Sequence, residues 1–295
     1  MVKTMIKTAI VGFGNIGKAA YQAISNSDDF SLECIVETRE ITVDVPLIRS
    51  VAELDNIDVA ILCLPSRSVL DIASSILSKG ICTVDSFDIH TNIVEVRSKL
   101  DVIAKQHDCA AITAAGWDPG SDSMVRALLM AMLPKGITYT NFGPGMSMGH
   151  SVAARAISGV KDALSMTIPQ GAGVHSRMVY VELEQGADFD IISKSIRQDE
   201  YFAHDETHVI QVESVDMLRD VGHGVNLSRK GVSGITGNQR IDFNMSINNP
   251  ALTGQILVSS ARAVTKQKPG CYTMIQIPPI DLLAGETNDI IRDLV

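Results

Sequence analysis

The chain has 295 residues, of which 45% are hydrophobic and 20% charged, with a formal net charge of −9 and an isoelectric point near 5.2. This composition affords a sizeable core and excludes disorder, and the length suggests two domains. No basic run is present, which excludes nucleic acid as a partner because phosphate contacts need clustered lysine and arginine. No stretch reaches the roughly 18 apolar residues of a membrane helix, and Met1 to Ile6 read as no secretory leader. The five cysteines (Cys34, Cys63, Cys82, Cys109, Cys271) are odd in number and lack a CxxC pair. They suit reduced thiols in a cytoplasmic protein.

Short apolar runs predict strands at Thr8 to Val11, Ser31 to Val36, Val59 to Leu64, Ile81 to Val84 and Ala110 to Thr113. Between them apolar residues recur at helical spacing: Ile16, Ala19, Ala20, Ala23 and Ile24; then Val69, Ile72, Ala73, Ile76 and Leu77; then Val96, Leu100, Ile103 and Ala104. Strict alternation of strand and helix predicts a doubly wound parallel sheet, an α/β Rossmann domain over residues 1–118. From Gly116 the texture changes, and Gly116-Trp117-Asp118-Pro119-Gly120 and Asn141-Phe142-Gly143-Pro144-Gly145 interrupt regular structure. Strand-like alternations at Arg177 to Leu183, Thr207 to Val212 and Ile241 to Ile247 then predict an antiparallel sheet, so an α+β domain over 119–249. The helical stretch Leu252 to Lys266 is expected to return to the first domain, which residues 250–295 would complete.

Gly12-Phe13-Gly14-Asn15-Ile16-Gly17 is a GxGxxG that follows a strand and opens a helix, the context in which the motif holds a dinucleotide. The first glycine permits the tight turn, the second lets backbone N–H groups approach a pyrophosphate, and the third lets helix and strand pack closely. Glu37 stands at the end of the second strand, twenty residues after Gly17, where a carboxylate accepts both ribose hydroxyls and repels a 2′-phosphate. It therefore favours NAD, whereas Arg39, beyond Thr38, is placed to clamp the phosphate of NADP. The third strand ends at Leu64-Pro65-Ser66-Arg67, where an open sheet binds ligand along the backbone. Ser66 is also expected to cap the helix that follows.

Three segments then carry a family resemblance: Thr83-Val84-Asp85-Ser86-Phe87-Asp88-Ile89-His90, Gly116-Trp117-Asp118-Pro119-Gly120 and Gly143-Pro144-Gly145-Met146-Ser147-Met148-Gly149-His150-Ser151. With the glycine loop they resemble, in order, the meso-diaminopimelate dehydrogenases. The resemblance implies a Rossmann domain plus a substrate and dimerisation domain, a cytoplasmic homodimer, and NADP as cofactor. It implies reversible oxidative deamination of the D-centre of meso-2,6-diaminopimelate to L-2-amino-6-oxopimelate and ammonia. By the same resemblance Asp88 and Asp118 hold the ammonium group at the D-centre. Phe142 forms an apolar wall where many members have tryptophan, and Met148, Gly149 and His150 line that region. Thr167, Arg177, His223 and Asn249 grip the far end, and Ser86, Phe87, Asp88 and Trp117 lie along the cofactor. The short stretch between Pro169 and Arg177 resembles a subgroup with broader substrate range. Glu37-Thr38-Arg39 departs from the adjacent arginines usual in the family and opens NAD as cofactor.

The residue types suit that chemistry, because a zwitterion with two ammonium and two carboxylate groups needs carboxylates at one point and a guanidinium at another. Asp88 or Asp118 would accept a proton as hydride leaves, or activate water on the imine. Plain structural roles compete: Asp118 as a turn former before proline, Asp88 as a cap near Thr91, His150 and His223 as hydrogen-bonders, Arg177 as a rim ion pair. No histidine pairs at ligand spacing with cysteine or clustered carboxylates, so no metal site is expected. The alternatives are a dehydrogenase or reductive aminase for another D-amino or 2-oxo acid, and a dinucleotide sensor without turnover.

Overall fold

The computed structural model describes residues 5–218 and 222–295. The first four residues of the supposed leaderless start, and Arg219 to Val221, lie outside them. In chain order the strands are β1 (Ile6–Val11), β2 (Phe30–Val36), β3 (Leu47–Ile48), β4 (Val59–Leu62), β5 (Cys82–Asp85), β6 (Ala110–Ile112), β7 (Lys135–Phe142), β8 (Gly145–Met146), β9 (Val160–Gly171), β10 (Val174–Leu183), β11 (Glu206–Gln211), β12 (Gly222–Ser233), β13 (Thr236–Asn248) and β14 (Gly270–Tyr272). The α-helices are α1 (Asn15–Ser25), α2 (Ser66–Leu77), α3 (Ile93–Gln106), α4 (Ser121–Met132), α5 (Met148–Arg155), α6 (Phe189–Gln198), α7 (Asn249–Val264) and α8 (Thr287–Leu294). The chain divides into two compact units, one of residues 1–127 with 250–295 and one of residues 128–249.

The first unit is built on a seven-stranded sheet in the order β14-β6-β5-β4-β1-β2-β3, parallel at every pairing. The parallel Rossmann sheet read from the sequence is therefore present. Its strands are continuous apolar runs because both faces are covered. Side chains alternate across a strand, so Ala9, Val11, Ala60 and Leu62 join one core with Val69, Ala73, Ile76 and Leu77 of α2 and Val96, Leu100 and Ala104 of α3. Ile10, Ile35, Val59 and Ile61 join the other with Ala20 and Ile24 of α1 and Leu257, Val258 and Ala261 of α7. Each fully buried aliphatic side chain contributes roughly 1.5–3 kcal/mol. Helix α7 is also anchored by charge: Arg262 Nε and Nη2 donate to Asp29 Oδ2 (2.5 Å) and Oδ1 (3.0 Å), and Nη1 donates to the Leu282 carbonyl (2.9 Å). The guanidinium stacks 5.1 Å from the centre of the Phe30 ring.

The second unit holds two sheets, β11-β10-β9-β8 and β13-β12-β7. The expected single antiparallel sheet is corrected here. β10 pairs antiparallel with β9 but parallel with β11, and β13 belongs to the other sheet, where its partner β12 also pairs with β7. The reason is α6, which connects β10 to β11 and returns the chain in the same direction, as a crossover helix must. Its Ile192 and Ile196 pack on Val179 and Val181 of β10 and Val209 of β11, closing a core with Ala154 of α5. Among the described residues no helix is long and apolar enough to cross a membrane, and the five cysteines are free.

Candidate active site

The order of strands in the parallel sheet reverses between β1 and β4, so a crevice opens at their carboxyl ends. The glycine loop fills the start of it. A Cβ on Gly12 (φ +90°) would stand 2.6 Å from the Cys63 carbonyl, and one on Gly17 2.2 Å from the Gly12 carbonyl. A Cβ on Gly14 would meet nothing within 4 Å. Two glycines thus press loop, α1 and β4 together, while the third leaves its surface open, with Asn15 and Ile16 beginning the helix whose positive end faces the opening. A cleft of about 520 Å³ lies beside the loop, lined by Gly12, Phe13 and Gly14, by Glu37, Thr38 and Arg39, and by Leu64 and Pro65. These features fit a dinucleotide.

Glu37 is buried at the end of β2, and the loop is tied to it: Phe13 N–H donates to its Oε2 (3.0 Å). Arg39 donates from its backbone N–H to Oε1 (3.1 Å) and from Nη2 to Oε2 (2.7 Å). The bond from Arg39 holds the carboxyl far below the ordinary carboxylate range. Arg49, which the sequence gave no reason to single out, lines the same cleft. Its Nη1 donates to three successive carbonyls, Glu37 (3.0 Å), Thr38 (3.1 Å) and Arg39 (2.9 Å), and its Nη2 pairs with Glu40. Ser68 and Ile72 of α2 are further cleft residues that went unread.

At the neighbouring strand ends, Ser66 does not cap α2. Its Oγ donates to Asp88 Oδ1 (2.6 Å) and accepts the Asp88 N–H (3.0 Å), while α2 starts without a side-chain cap. The same clasp corrects Asp88 as a helix cap, since no side chain caps the turn from His90 or α3. Arg67 points outward at the helix start. Asp85, the last residue of β5, is fully buried, and its Oδ1 accepts Phe87 N–H (2.9 Å), Thr113 Oγ–H (2.8 Å) and Ala114 N–H (3.2 Å). It welds the Ser86-Phe87-Asp88 turn to the chain leaving β6, and burial pushes its carboxyl up to about 6.

That chain leads to Trp117, buried at 6% exposure, and Asp118, whose side chain is 14% exposed. Burial drives the Asp118 carboxyl above its ordinary range, and the charge of Asp88 adds to the push, so the structure brings these two acids within electrostatic reach. Arg126 Nη2 lies 3.5 Å from Asp118 Oδ1 and also pairs with Asp122, an acid that sequence reasoning passed over. Its spacing, one helical turn from both Asp118 and Arg126, was the available signal.

In the second unit Arg177 on β10 lies opposite Thr167 on β9, and its Nη1 donates to the Thr167 hydroxyl. Its Nε donates to Asp205 Oδ2 (2.6 Å). His150, His175 and His223 all feel the Arg177 charge, and burial first, then that charge, lowers each imidazole, His150 and His223 to about 4. Burial and the Arg177 charge disfavour the imidazolium forms, so Arg177, paired with Asp205, is the cation at the centre of this group. His150 Nδ1 is 2.8 Å from Ser147 Oγ, and its ring meets Tyr201 and Phe202 edge-on at 5.5 and 5.2 Å. Phe142 N–H donates to His175 Nε2 (2.7 Å), and their ring centres are 5.7 Å apart. His175 and Asp205 were not foreseen. Met148 and Gly149 open α5, and Asn249 opens α7. Among the described residues no group of histidine, cysteine and acid side chains is arranged to hold a metal.

The family model of the diaminopimelic acid dehydrogenase C-terminal domain matches residues 116–174. A meso-diaminopimelate D-dehydrogenase from Bacteroides fragilis is 56% identical over 297 aligned positions, covering 98% of this chain and 99% of that protein. Among solved structures, the C. glutamicum DAP dehydrogenase in complex with DAP is similar with a TM-score of 0.90 at 28% identity, covering 99% of this chain and 100% of that one. An engineered D-amino acid dehydrogenase bound to NADP+ follows with a TM-score of 0.87 at 27% identity, again covering 99% and 100%. With near-complete coverage at that level of identity, this chain belongs to the meso-diaminopimelate D-dehydrogenase family.

Proposed function

We propose that the chain catalyses NAD(P)-dependent oxidative deamination of the D-centre of meso-2,6-diaminopimelate, giving L-2-amino-6-oxopimelate and ammonia. The observation that carries this reading is the group at the carboxyl ends of β5 and β6: Asp88 clasped by Ser66, and Asp118 backed by Arg126, beside the crevice of a dinucleotide fold. The reacting carbon of this zwitterionic substrate bears an ammonium group, and the two acids there neutralise it. Asp118, held above its ordinary pKa by burial, takes a proton from that ammonium. A nicotinamide cofactor held in the crevice by the glycine loop and Glu37 would supply the hydride acceptor. An acid beside the resulting iminium then orients water onto the carbon, and ammonia leaves. The balance is amine cation, water and oxidised cofactor in; ketone, ammonium, reduced cofactor and one proton out. By the family resemblance, Arg177, hydrogen-bonded to Thr167, would take the carboxylate of the L-centre with His223 and Asn249, and Phe142, Met148, Gly149 and His150 would line the D-centre.

Cofactor choice turns on Glu37. Its carboxylate suits the ribose hydroxyls of NAD, while Arg39, with its side chain 66% exposed, is free to swing onto the 2′-phosphate of NADP. The chain is read as using both, with a cytoplasmic homodimer as the working form. Initial rates at the nicotinamide absorbance band, with meso-diaminopimelate and each cofactor in turn, test this. Turnover confined to NAD would assign ribose recognition to Glu37, with Arg39 binding no 2′-phosphate. Glu37→Gln should raise the NADP-to-NAD ratio of kcat/KM about tenfold, because a charge-assisted bond that competes for Arg39 is weakened. Diaminopimelate rates no better than D-alanine rates would favour a different D-amino acid as substrate. Asp118→Asn without effect on any rate would favour a sensor.

A further inference from the structure

One guanidinium in the cofactor cleft has no role in the chemistry above. Arg49 follows β3, the short edge strand that pairs with the end of β2, and its backbone is fastened there: Glu53 Oε1 accepts the N–H of Arg49 (3.1 Å) and of Ser50 (2.8 Å). From that base the side chain crosses to the turn after β2, where Nη1 donates to the carbonyls of Glu37 (3.0 Å), Thr38 (3.1 Å) and Arg39 (2.9 Å), and Nη2 pairs with Glu40. The two nitrogens are held differently. Nη1 cannot leave three backbone oxygens of one turn unless the turn is remade. Glu40 is 91% exposed at its side chain, and an exposed ion pair holds weakly.

Arg49 lines the cleft together with Glu37 and Arg39. Glu37 is buried and paired with Arg39, so a 2′-phosphate gripped by Arg39 alone would take away the partner of that carboxylate and meet one acid for one cation. A second guanidinium makes the group net positive as soon as Glu40 turns into solvent. Its fork matches a phosphate, and a side chain that is already immobilised loses little freedom on binding. Resting on the dinucleotide reading of this cleft, we propose that Arg49 is a specificity-determining residue: with Nη1 anchored on the turn, Nη2 exchanges the Glu40 carboxylate for the 2′-phosphate, which lets this chain take NADP in spite of Glu37. Glu40 is then an internal competitor of that phosphate. It lowers affinity for NADP and leaves NAD, which carries a hydroxyl there, unaffected.

Calorimetric titration of the whole chain with NADP+ and with NAD+, in the absence of substrate, tests this, because the two ligands differ by that phosphate alone. Arg49→Met should lower the NADP-to-NAD affinity ratio about tenfold, the loss of a charge-assisted bond. Loosening of the turn by itself would weaken both ligands together, so the ratio separates recognition of the phosphate from a purely structural role. Arg49→Lys, which keeps the charge but not the fork, should recover part of the ratio. Glu40→Gln, at an exposed position, should raise the ratio about threefold by removing the competitor. A ratio that moves less than twofold in Arg49→Met, or that fails to rise in Glu40→Gln, would overturn the proposal, as would a wild type that binds NAD+ and no NADP+. A wild type that binds neither ligand would instead overturn the dinucleotide reading, and the role of Arg49 with it.

Discussion

Replacing Asp85 by asparagine isolates the energetic cost of a buried charge at the base of the site. Asp85 is fully buried, three donors converge on its Oδ1, and its Oδ2 has no hydrogen-bond partner. Burial lifts the carboxyl from 3.8 to about 6, which sets the cost of ionising it in the fold at roughly 3 kcal/mol. The folded chain therefore holds this proton more tightly than the unfolded one. Its contribution to stability is complete below about pH 4 and is lost as pH rises toward 6. Asparagine keeps the acceptor and cannot ionise. The difference in unfolding free energy between variant and wild type should thus move by roughly 3 kcal/mol in favour of asparagine across that window. Asp122 titrates in the same sense, and His150 and His223, lowered to about 4, in the opposite one, so only the difference between the two proteins is diagnostic. Urea unfolding at a series of pH values, followed by the fluorescence of Trp117, the only tryptophan, reads the unit that contains Asp85. Curves that stay parallel within about 1 kcal/mol would refute the reasoning, since extrapolation error is of that order.

Arg262→Met should destabilise the first unit by about 3–5 kcal/mol by stranding Asp29 buried and unpaired, and Asp29→Asn in that background should recover part of it in the same urea assay. Gly17→Ala places a methyl group 2.2 Å from the Gly12 carbonyl, so it should cost on the order of 1–3 kcal/mol in melting and weaken cofactor binding, measured by calorimetry. Arg177→Met should raise KM for meso-diaminopimelate roughly 10- to 100-fold while leaving D-alanine, which has no second carboxylate, unaffected in steady-state rates.

The parallel sheet was legible because strands covered on both faces are written as unbroken apolar runs, as at Val59 to Leu62, and because the glycine loop sits between one such run and a helical stripe. The two- and three-residue edge strands β3 and β14 carry too little pattern to be read, and the pairing of β14 depends on β6, far along the chain. In the second unit, α6 turns what reads as a run of strands into a parallel crossover; its apolar Ile192 and Ile196 give the helical face, but not the direction in which the chain returns. Glu37, whose place at a strand end is fixed by its distance from the glycine loop, is legible from spacing, and it lines the cleft. Site residues that act through a distant partner are not: the Ser66 hydroxyl looks like a cap until Asp88, 22 residues on, claims it. Asp122 looks like a helix N-terminal acid until its burial is seen. Arg49 looks like a surface charge until three carbonyls converge on it.

The first unit is interrupted: the helix that covers Ile10, Ile35 and Ile61, and the strand that extends β6, are encoded after the whole of the second unit. A ribosome therefore releases residues 128–249 as a continuous, completable body while one face of the parallel sheet still lacks α7. Domains fold as units during synthesis, and uncovered apolar surface invites aggregation until they close. The inserted unit is then free to form first, and a nascent chain arrested before α7 would need a chaperone to keep the dinucleotide half soluble.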